Sequence, residues 1–461
     1  MAERTYPYIP NSEPAVQAEM LKFIGVDSIE DLIADIPEDM RMKKPMALPP
    51  AICDEAGLFR HVGNLLNKNT TARELICFLG AGCYNRYVPA LVDEVANRSE
   101  FLTAYAGEPY EDDGRFHAMF EYQSMMAELL DMDVCNVPNY DGSQAVGTAL
   151  RMAARITHRS EVLIPRNVNP DVLRAVKTYL EPQYKITFVD YSKKTGRVCM
   201  DCLKEKLTDK VAAVLLMNPN FFGIVEEKAQ EIADLAHENG ALLVAWVEPS
   251  TLGLLTPPSQ YGADIACGDI QALGLHMNYG GGVAGFIATK DEARFVDEYP
   301  SRLFGIAPTS EGEWGFGDVL WERTSFANRD SAKEFVGTHA ALWGIAAGVY
   351  LASMGPQGMR ELGEAVLQRQ VALRKVLSGI KGVSCDKFAG APFQEFVADF
   401  SESGKKVSEI NKELLKRGIL GGYDLGRHFP ELEGSMLLAV TEQTSAEDIK
   451  ALAAALGEIL A

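Results

Sequence analysis

The chain has 461 residues, 47% apolar and 23% charged. That is enough to build a full core over two or three domains and is incompatible with global disorder. Against 44 basic residues stand 64 acidic ones, a net charge of −20 whose field repels phosphate backbones and anionic membranes.

The basic pairs Lys43-Lys44, Lys193-Lys194 and Lys405-Lys406 are isolated, so neither nucleic acid nor membrane is an expected partner. The opening Met1-Ala2-Glu3-Arg4-Thr5-Tyr6-Pro7 lacks the apolar core of a secretory signal. No run approaches the ~18 apolar residues of a membrane span. Eight scattered cysteines form no framework, and a reducing cytoplasm is the expected compartment.

Residues 1–70 read as an arm punctuated by Pro7, Pro10, Pro14, Pro37, Pro45, Pro49 and Pro50. Short helices fit over 12–24 and 28–34, the second with Ser28 as N-cap and Asp31 in its first turn. From about 115 the pattern changes. Phe116, Met119, Phe120, Ala127 and Leu130 recur at helical spacing and lead to the loop Asn139-Tyr140-Asp141-Gly142-Ser143, where a second helix opens and runs to about 154. Short apolar runs follow at 162–165, 186–189, 211–217 and 242–247. The stretch 226–239 is helical by pattern, and Gly240 is placed to end it. Strands alternating with helices predict a mainly parallel sheet covered on both faces. Beyond 335, helices over 340–354 and 361–378, β-like segments at 393–400 and 436–440, and a last helix over 446–460 predict a smaller α+β unit. The expected division is an arm at 1–70, a large α/β domain at 71–335 and a C-terminal domain at 336–461.

Four motifs bear on chemistry. Gly80-Ala81-Gly82-Cys83-Tyr84-Asn85 begins like a dinucleotide fingerprint but lacks the third glycine and the βαβ context; a turn is the better account. Cys199-Met200-Asp201-Cys202 has no second pair at zinc spacing, and Asp201 is the expected cap of the following helix. The seven histidines show no ligand spacing, so no metal is expected. Asp141-Gly142-Ser143-Gln144 opens a helix whose first N–H groups could cradle an anion. Loops of this kind hold the phosphate in aminotransferase-like enzymes that use pyridoxal phosphate. An ordinary capped helix is the equal alternative, because the Asp141 carboxylate repels phosphate.

That cofactor also needs an acidic residue near the strand Val244-Ala245-Trp246-Val247-Glu248, where only Glu248 qualifies, and a lysine about 20 to 30 residues later. The run there is Gly268-Asp269-Ile270-Gln271-Ala272-Leu273-Gly274-Leu275-His276, and no lysine occurs between Lys228 and Lys290. The scaffold is present without its reactive amine.

Several stretches resemble the α subunits (subunit 1) of the two-subunit glycine decarboxylase P-proteins of the glycine cleavage system. They include Tyr8-Ile9-Pro10-Asn11, Ile24-Gly25-Val26-Asp27-Ser28-Ile29-Glu30-Asp31-Leu32, Phe78-Leu79-Gly80-Ala81-Gly82, Phe101-Leu102-Thr103-Ala104-Tyr105, Phe120-Glu121-Tyr122-Gln123, Pro219-Asn220-Phe221-Phe222-Gly223 and Asp424-Leu425-Gly426-Arg427, in this order over some 420 residues. The resemblance implies a pyridoxal-phosphate-dependent transferase fold (aminotransferase-like, fold type I) that binds no cofactor covalently. It implies a β subunit carrying the lysine and the pyridoxal phosphate, an α2β2 assembly, and an oxidoreductase activity belonging to the complex. That complex decarboxylates glycine and passes the aminomethyl group to the lipoylated H-protein. It further implies that Tyr105, Glu108 and Tyr110 edge the partner's pocket, that Gly142, Ser143 and Gln144 are a vestigial anion cup, and that Asn139, Asp141, Asn220, Phe221 and His276 face substrate or interface. The segments 106–114 and 329–339 depart from the family pattern. A paralogue serving another amine reaction, and a non-enzymatic scaffold, are the alternatives.

Overall fold

The computed structural model describes residues 8–44, 46–102, 109–281, 283–300, 302–324, 327–330, 333 and 340–461, with backbone alone at 10 and 109–114. These divide into two compact units, Met1–Asn69 and Thr70–Ala461.

The first unit is built from short capped helices. Pro14–Ile24 begins on a Glu13 carboxylate that accepts from the Val16 N–H and ends at Gly25, whose φ of +85° gives the left-handed turn a helix end favours. Ser28 and Asp31 form the expected reciprocal capping box at Ile29–Leu32. Glu55–Leu66 starts on Asp54. None of the three helices buries a residue.

The second unit is organised by a sheet of seven strands among the described residues: β1 (Val134–Cys135), β2 (Glu161–Pro165), β3 (Lys185–Val189), β4 (Val211–Asn218), β5 (Leu242–Val247), β6 (Ile265–Asp269) and β7 (Gly285–Thr289), in the spatial order β1-β7-β6-β5-β4-β2-β3. β3, β2, β4, β5 and β6 run parallel, and β7 is antiparallel to both its neighbours. Strand β4 shows why its sequence is apolar throughout. Val214 and Leu216 pack into one core while Ala213, Leu215 and Met217 pack into another. Parallel strands covered on both faces lose the polar alternation.

The helices α1 (Pro109–Leu130), α2 (Gly142–Thr157), α3 (Pro170–Leu180), α4 (Met200–Lys206) and α5 (Ala229–Glu238) divide between these cores. α2 and α3 join the Ala213 core; α1 and α5 join the Val214 core. Cys199, disulfide-bonded to Cys202, occupies the N-cap of α4, and Asp201 lies in the first turn rather than capping it as expected. The helix predicted over 226–239 begins only at Ala229, because the Glu226 carboxylate accepts the N–H groups of Val198 and Lys228 in a turn.

The two helices expected over 340–354 and 361–378 are the two arms of α6 (Ala341–Leu377), which breaks where Gly355 takes a non-helical φ of +60° before Pro356, so that the second arm starts earlier than expected. Beyond it, β8 (Glu395–Asp399), β9 (Tyr423–Asp424) and β10 (Ser435–Ala439) form an antiparallel sheet with β10 in the centre, followed by α7 (Ala446–Leu460). Ile76–Cys77 pairs parallel with Ile419–Leu420, and the Ala439 N–H donates to the Phe78 carbonyl at 2.9 Å. The segment entering the second unit is therefore held by its C-terminal part.

Candidate functional site

Ligands of open α/β sheets bind beyond the carboxyl ends of the strands. A cavity of about 60 Å³ lies there, at the ends of β4, β5 and β6, closed by the 82–84 loop and the start of β8. Asp269 is the last residue of β6, Glu248 follows β5, Phe221 follows β4, and Glu395 opens β8 with Gln394 just before it. All line the cavity together with Trp246.

Three carboxylates converge on it. Asp269 Oδ1 accepts from the Gln271 N–H at 2.8 Å and Oδ2 from the Gly142 N–H at 2.9 Å. Burial nevertheless pushes this carboxyl up to about 7, with the Asp141 charge adding to the rise. Glu395 Oε1 accepts from the Ala81 N–H at 2.7 Å and Oε2 from the Tyr84 hydroxyl at 3.0 Å. Burial pushes it too up to about 7. Glu248 accepts from the Ser250 N–H and from Arg86 Nη2 at 3.4 Å. Arg86, 6% exposed, also donates to Glu442 at 2.9 Å, to Ser250 Oγ at 2.6 Å and to Gln394 Oε1 at 2.8 Å. Gly223, at φ +77°, brings backbone against backbone: a Cβ there would stand 2.0 Å from the Glu395 carbonyl oxygen.

The start of α2 adjoins the cavity through Asp269. Its Gly142 N–H is taken by Asp269, its Gln144 N–H by Asp141 Oδ1 at 2.7 Å, and a Cβ on residue 142 would stand 2.4 Å from the Trp246 ring. Two of the first-turn donors thus already bind the chain's own carboxylates. Of the two readings of this loop, the geometry is that of the capped helix.

These residues do not fit pyridoxal phosphate. No lysine is among the described residues that line the cavity, two carboxylates hold the Gly142 and Gln144 N–H groups that would help cradle the phosphate, and the indole of Trp246 lies against the glycine that would admit it.

Of the other expected site residues, Asn220 and Phe221 line the cavity. Asn220 is held by its own turn, donating to the Gly196 carbonyl and accepting from the N–H groups of Phe222 and Ile224. Asn139 is buried behind α2 and donates to Gln144 Oε1 at 2.7 Å, and Ser143 is half-buried. His276 lies apart, paired with Asp93 at 2.9 Å. Tyr105, Glu108 and most of the 329–339 segment lie outside the described residues, as does the side chain of Tyr110. Sequence reasoning missed Arg86, Gln394 and Glu395, and quoted Asp269 only as part of a run without lysine.

Residues 6–456 match the family model of the glycine cleavage system P-protein. The chain belongs to that family. It is 39% identical over 459 residues to the "probable glycine dehydrogenase (decarboxylating) subunit 1" of Pyrococcus horikoshii, covering 98% of this chain and 99% of the relative. It is 40% identical to the protein of the same description from Geobacillus kaustophilus, covering 98% of each. Among solved structures it is similar to an inhibitor-bound glycine decarboxylase (P-protein) of the glycine cleavage system, with a TM-score of 0.87, 34% identity and coverage of 99% of this chain and 100% of the other. A Burkholderia pseudomallei sphingosine-1-phosphate lyase, 13% identical with a TM-score of 0.64 over 90% of this chain and 92% of the other, shares the fold alone. The chain therefore has the fold of the type I pyridoxal-phosphate enzymes.

Proposed function

We propose that this chain is the lysine-free subunit of a two-subunit glycine decarboxylase of the glycine cleavage system. The observation that carries the reading is the cavity at the strand ends: it keeps the position of a fold-type I active site, holds no lysine, and has its phosphate cup closed by Asp141 and Asp269. The partner subunit carries the lysine and the pyridoxal phosphate, and supplies the chemistry that releases carbon dioxide from glycine. This chain supplies the other half of an aminotransferase-like dimer, in an α2β2 complex that delivers the aminomethyl group to the lipoylated H-protein in the cytoplasm. Tyr105, Glu108 and Tyr110 edge the partner's pocket in this reading.

Co-expression with the lysine-bearing subunit tests it. The complex should catalyse exchange of bicarbonate with the glycine carboxyl when lipoylated carrier is added, and neither subunit alone should. After borohydride reduction the pyridoxyl adduct should map to a partner peptide. An adduct on a peptide of this chain, or exchange by this chain alone, would refute the assignment.

A further inference from the structure

The second unit holds another cavity, of about 540 Å³, which shares no lining residue with the one at the strand ends. One wall is the second arm of α6, where Leu367, Gln370, Val371 and Arg374 recur at helical spacing along one face. The other is the loop 386–392. That loop is fixed from behind. The Ala389 N–H donates to the Lys194 carbonyl at 2.8 Å, the Ala391 carbonyl accepts from the Val225 N–H at 2.9 Å, and the Phe388 ring stacks on Phe222 with centroids 5.0 Å apart. The space falls within the ~300–1,000 Å³ of preformed small-molecule pockets.

Unmet donors interrupt its apolar lining. Gln370 is 1% exposed, and its Nε2 has no hydrogen-bond partner among the described residues. One turn further along the helix, Arg374 Nη2 donates to the Cys385 carbonyl at 3.2 Å and to Asp386 Oδ1 at 3.0 Å, while its buried Nε bonds to none of the described residues. Buried donors in folded proteins are almost always bonded, and the terminal torsion of a glutamine is soft enough to turn the amide toward an acceptor in the groove. Nε and Nη2 form the edge by which a guanidinium takes a carboxylate with two bonds. Asp386 occupies half of that edge from a side chain 81% exposed, a pairing that water weakens and a ligand can displace. A cation would face the guanidinium and leave both donors unmet. A bare oxyanion would leave Leu367, Val371, Phe388 and Pro392 without an apolar partner.

We propose that this groove binds a small apolar monocarboxylate, its carboxylate on Arg374 Nε and Gln370 Nε2 and its hydrocarbon body along Leu367, Val371 and Phe388. Val371, Ala389 and Ala391 are exposed at the rim, so the ligand enters from solvent. The strand-end cavity repels such a ligand, because Glu248, Asp269 and Glu395 line it. The site belongs to this chain and needs neither pyridoxal phosphate nor the partner subunit.

Calorimetric titration of the full chain with hexanoate, acetate, 1-hexanol and hexylammonium tests the assignment. Hexanoate should bind saturably, one per chain. Hexylammonium and acetate should not, the first lacking the acceptor and the second the apolar body, and 1-hexanol should bind about tenfold more weakly or worse. Arg374→Met should weaken hexanoate about tenfold or more and leave 1-hexanol unchanged. Asp386→Asn, at an exposed position that does not endanger folding, removes the competing carboxylate and should tighten hexanoate by roughly two- to fivefold. Absence of saturable hexanoate binding, hexylammonium or acetate binding as tightly as hexanoate, hexanoate affinity unchanged in folded Arg374→Met, or no tightening in Asp386→Asn would each overturn the proposal.

Discussion

Replacing Glu395 by glutamine keeps the side chain's shape and removes its charge. Burial pushes this carboxyl up to about 7, against ~4.3 for an exposed glutamate. The folded chain thus holds the proton more tightly than the unfolded chain does. Its contribution to stability is fully present below about pH 4 and is withdrawn as the pH rises through the folded value. Between pH 5 and 8 that withdrawal amounts to roughly 2.5 kcal/mol at ~1.36 kcal/mol per pH unit. The unit Thr70–Ala461 should unfold with an entropy of roughly 0.8 kcal/mol/K. The wild-type midpoint should therefore fall by roughly 3 °C relative to Glu395→Gln across this range. Asp269, also at about 7, titrates in both proteins and cancels in the difference. Scanning calorimetry of the pair at pH steps in an amine-free buffer measures it. A difference that stays constant from pH 5 to 8 would refute the reasoning, because the Glu395 carboxyl would then titrate at its ordinary value in a hydrated site.

Arg86→Met leaves Glu248 and Glu442 without their buried counter-charge and should cost about 3–5 kcal/mol in denaturant unfolding, with part recovered by adding Glu442→Gln; a loss below ~1 kcal/mol would mean the pairs are solvated. Gly223→Ala must place a Cβ 2.0 Å from a backbone oxygen at a φ of +77° and should lower the thermal midpoint by several degrees. Gly317→Ala, with nothing within 4 Å, should stay within about 0.5 kcal/mol of wild type. The wild-type midpoint should be indifferent to inorganic phosphate, whereas the double variant Asp141→Ser/Asp269→Ser frees two first-turn N–H groups of α2 and should be stabilised as phosphate is added. No phosphate response in the folded double variant would show that the carboxylates are not what closes the cup.

The parts of this architecture that were legible from residues alone are those with local causes. β5 falls where its apolar run places it, and β4 within one residue, because both faces of each are buried. The helix end expected at 24 and the Ser28 N-cap are both real. β6 and β7 were missed: Ile265-Ala266-Cys267-Gly268-Asp269 carries two small residues and a charge, and its identity comes from pairing with β5 and β7. The missing lysine could be counted, but what fills its surroundings could not. Glu395 meets Tyr84 across 311 residues of chain and Arg86 meets Glu442 across 356. No local pattern announces such a partnership, and a glutamate opening a short strand looks like any solvent-facing one.

The same long spans govern how the chain is made. Phe78 is fully buried, yet its backbone partners, Leu420 and Ala439, lie near the other end of the polypeptide. On a ribosome adding ~5–20 residues per second, the 76–86 segment emerges roughly 20–70 seconds before the residues that receive it. During that interval Ile76, Phe78 and Tyr84 have no native place to go, and closing so long a loop is an entropic cost met only at the end of synthesis. Truncation near the C-terminus should therefore expose an apolar segment hundreds of residues upstream, which makes the last sixty residues a checkpoint for the solubility of the whole chain.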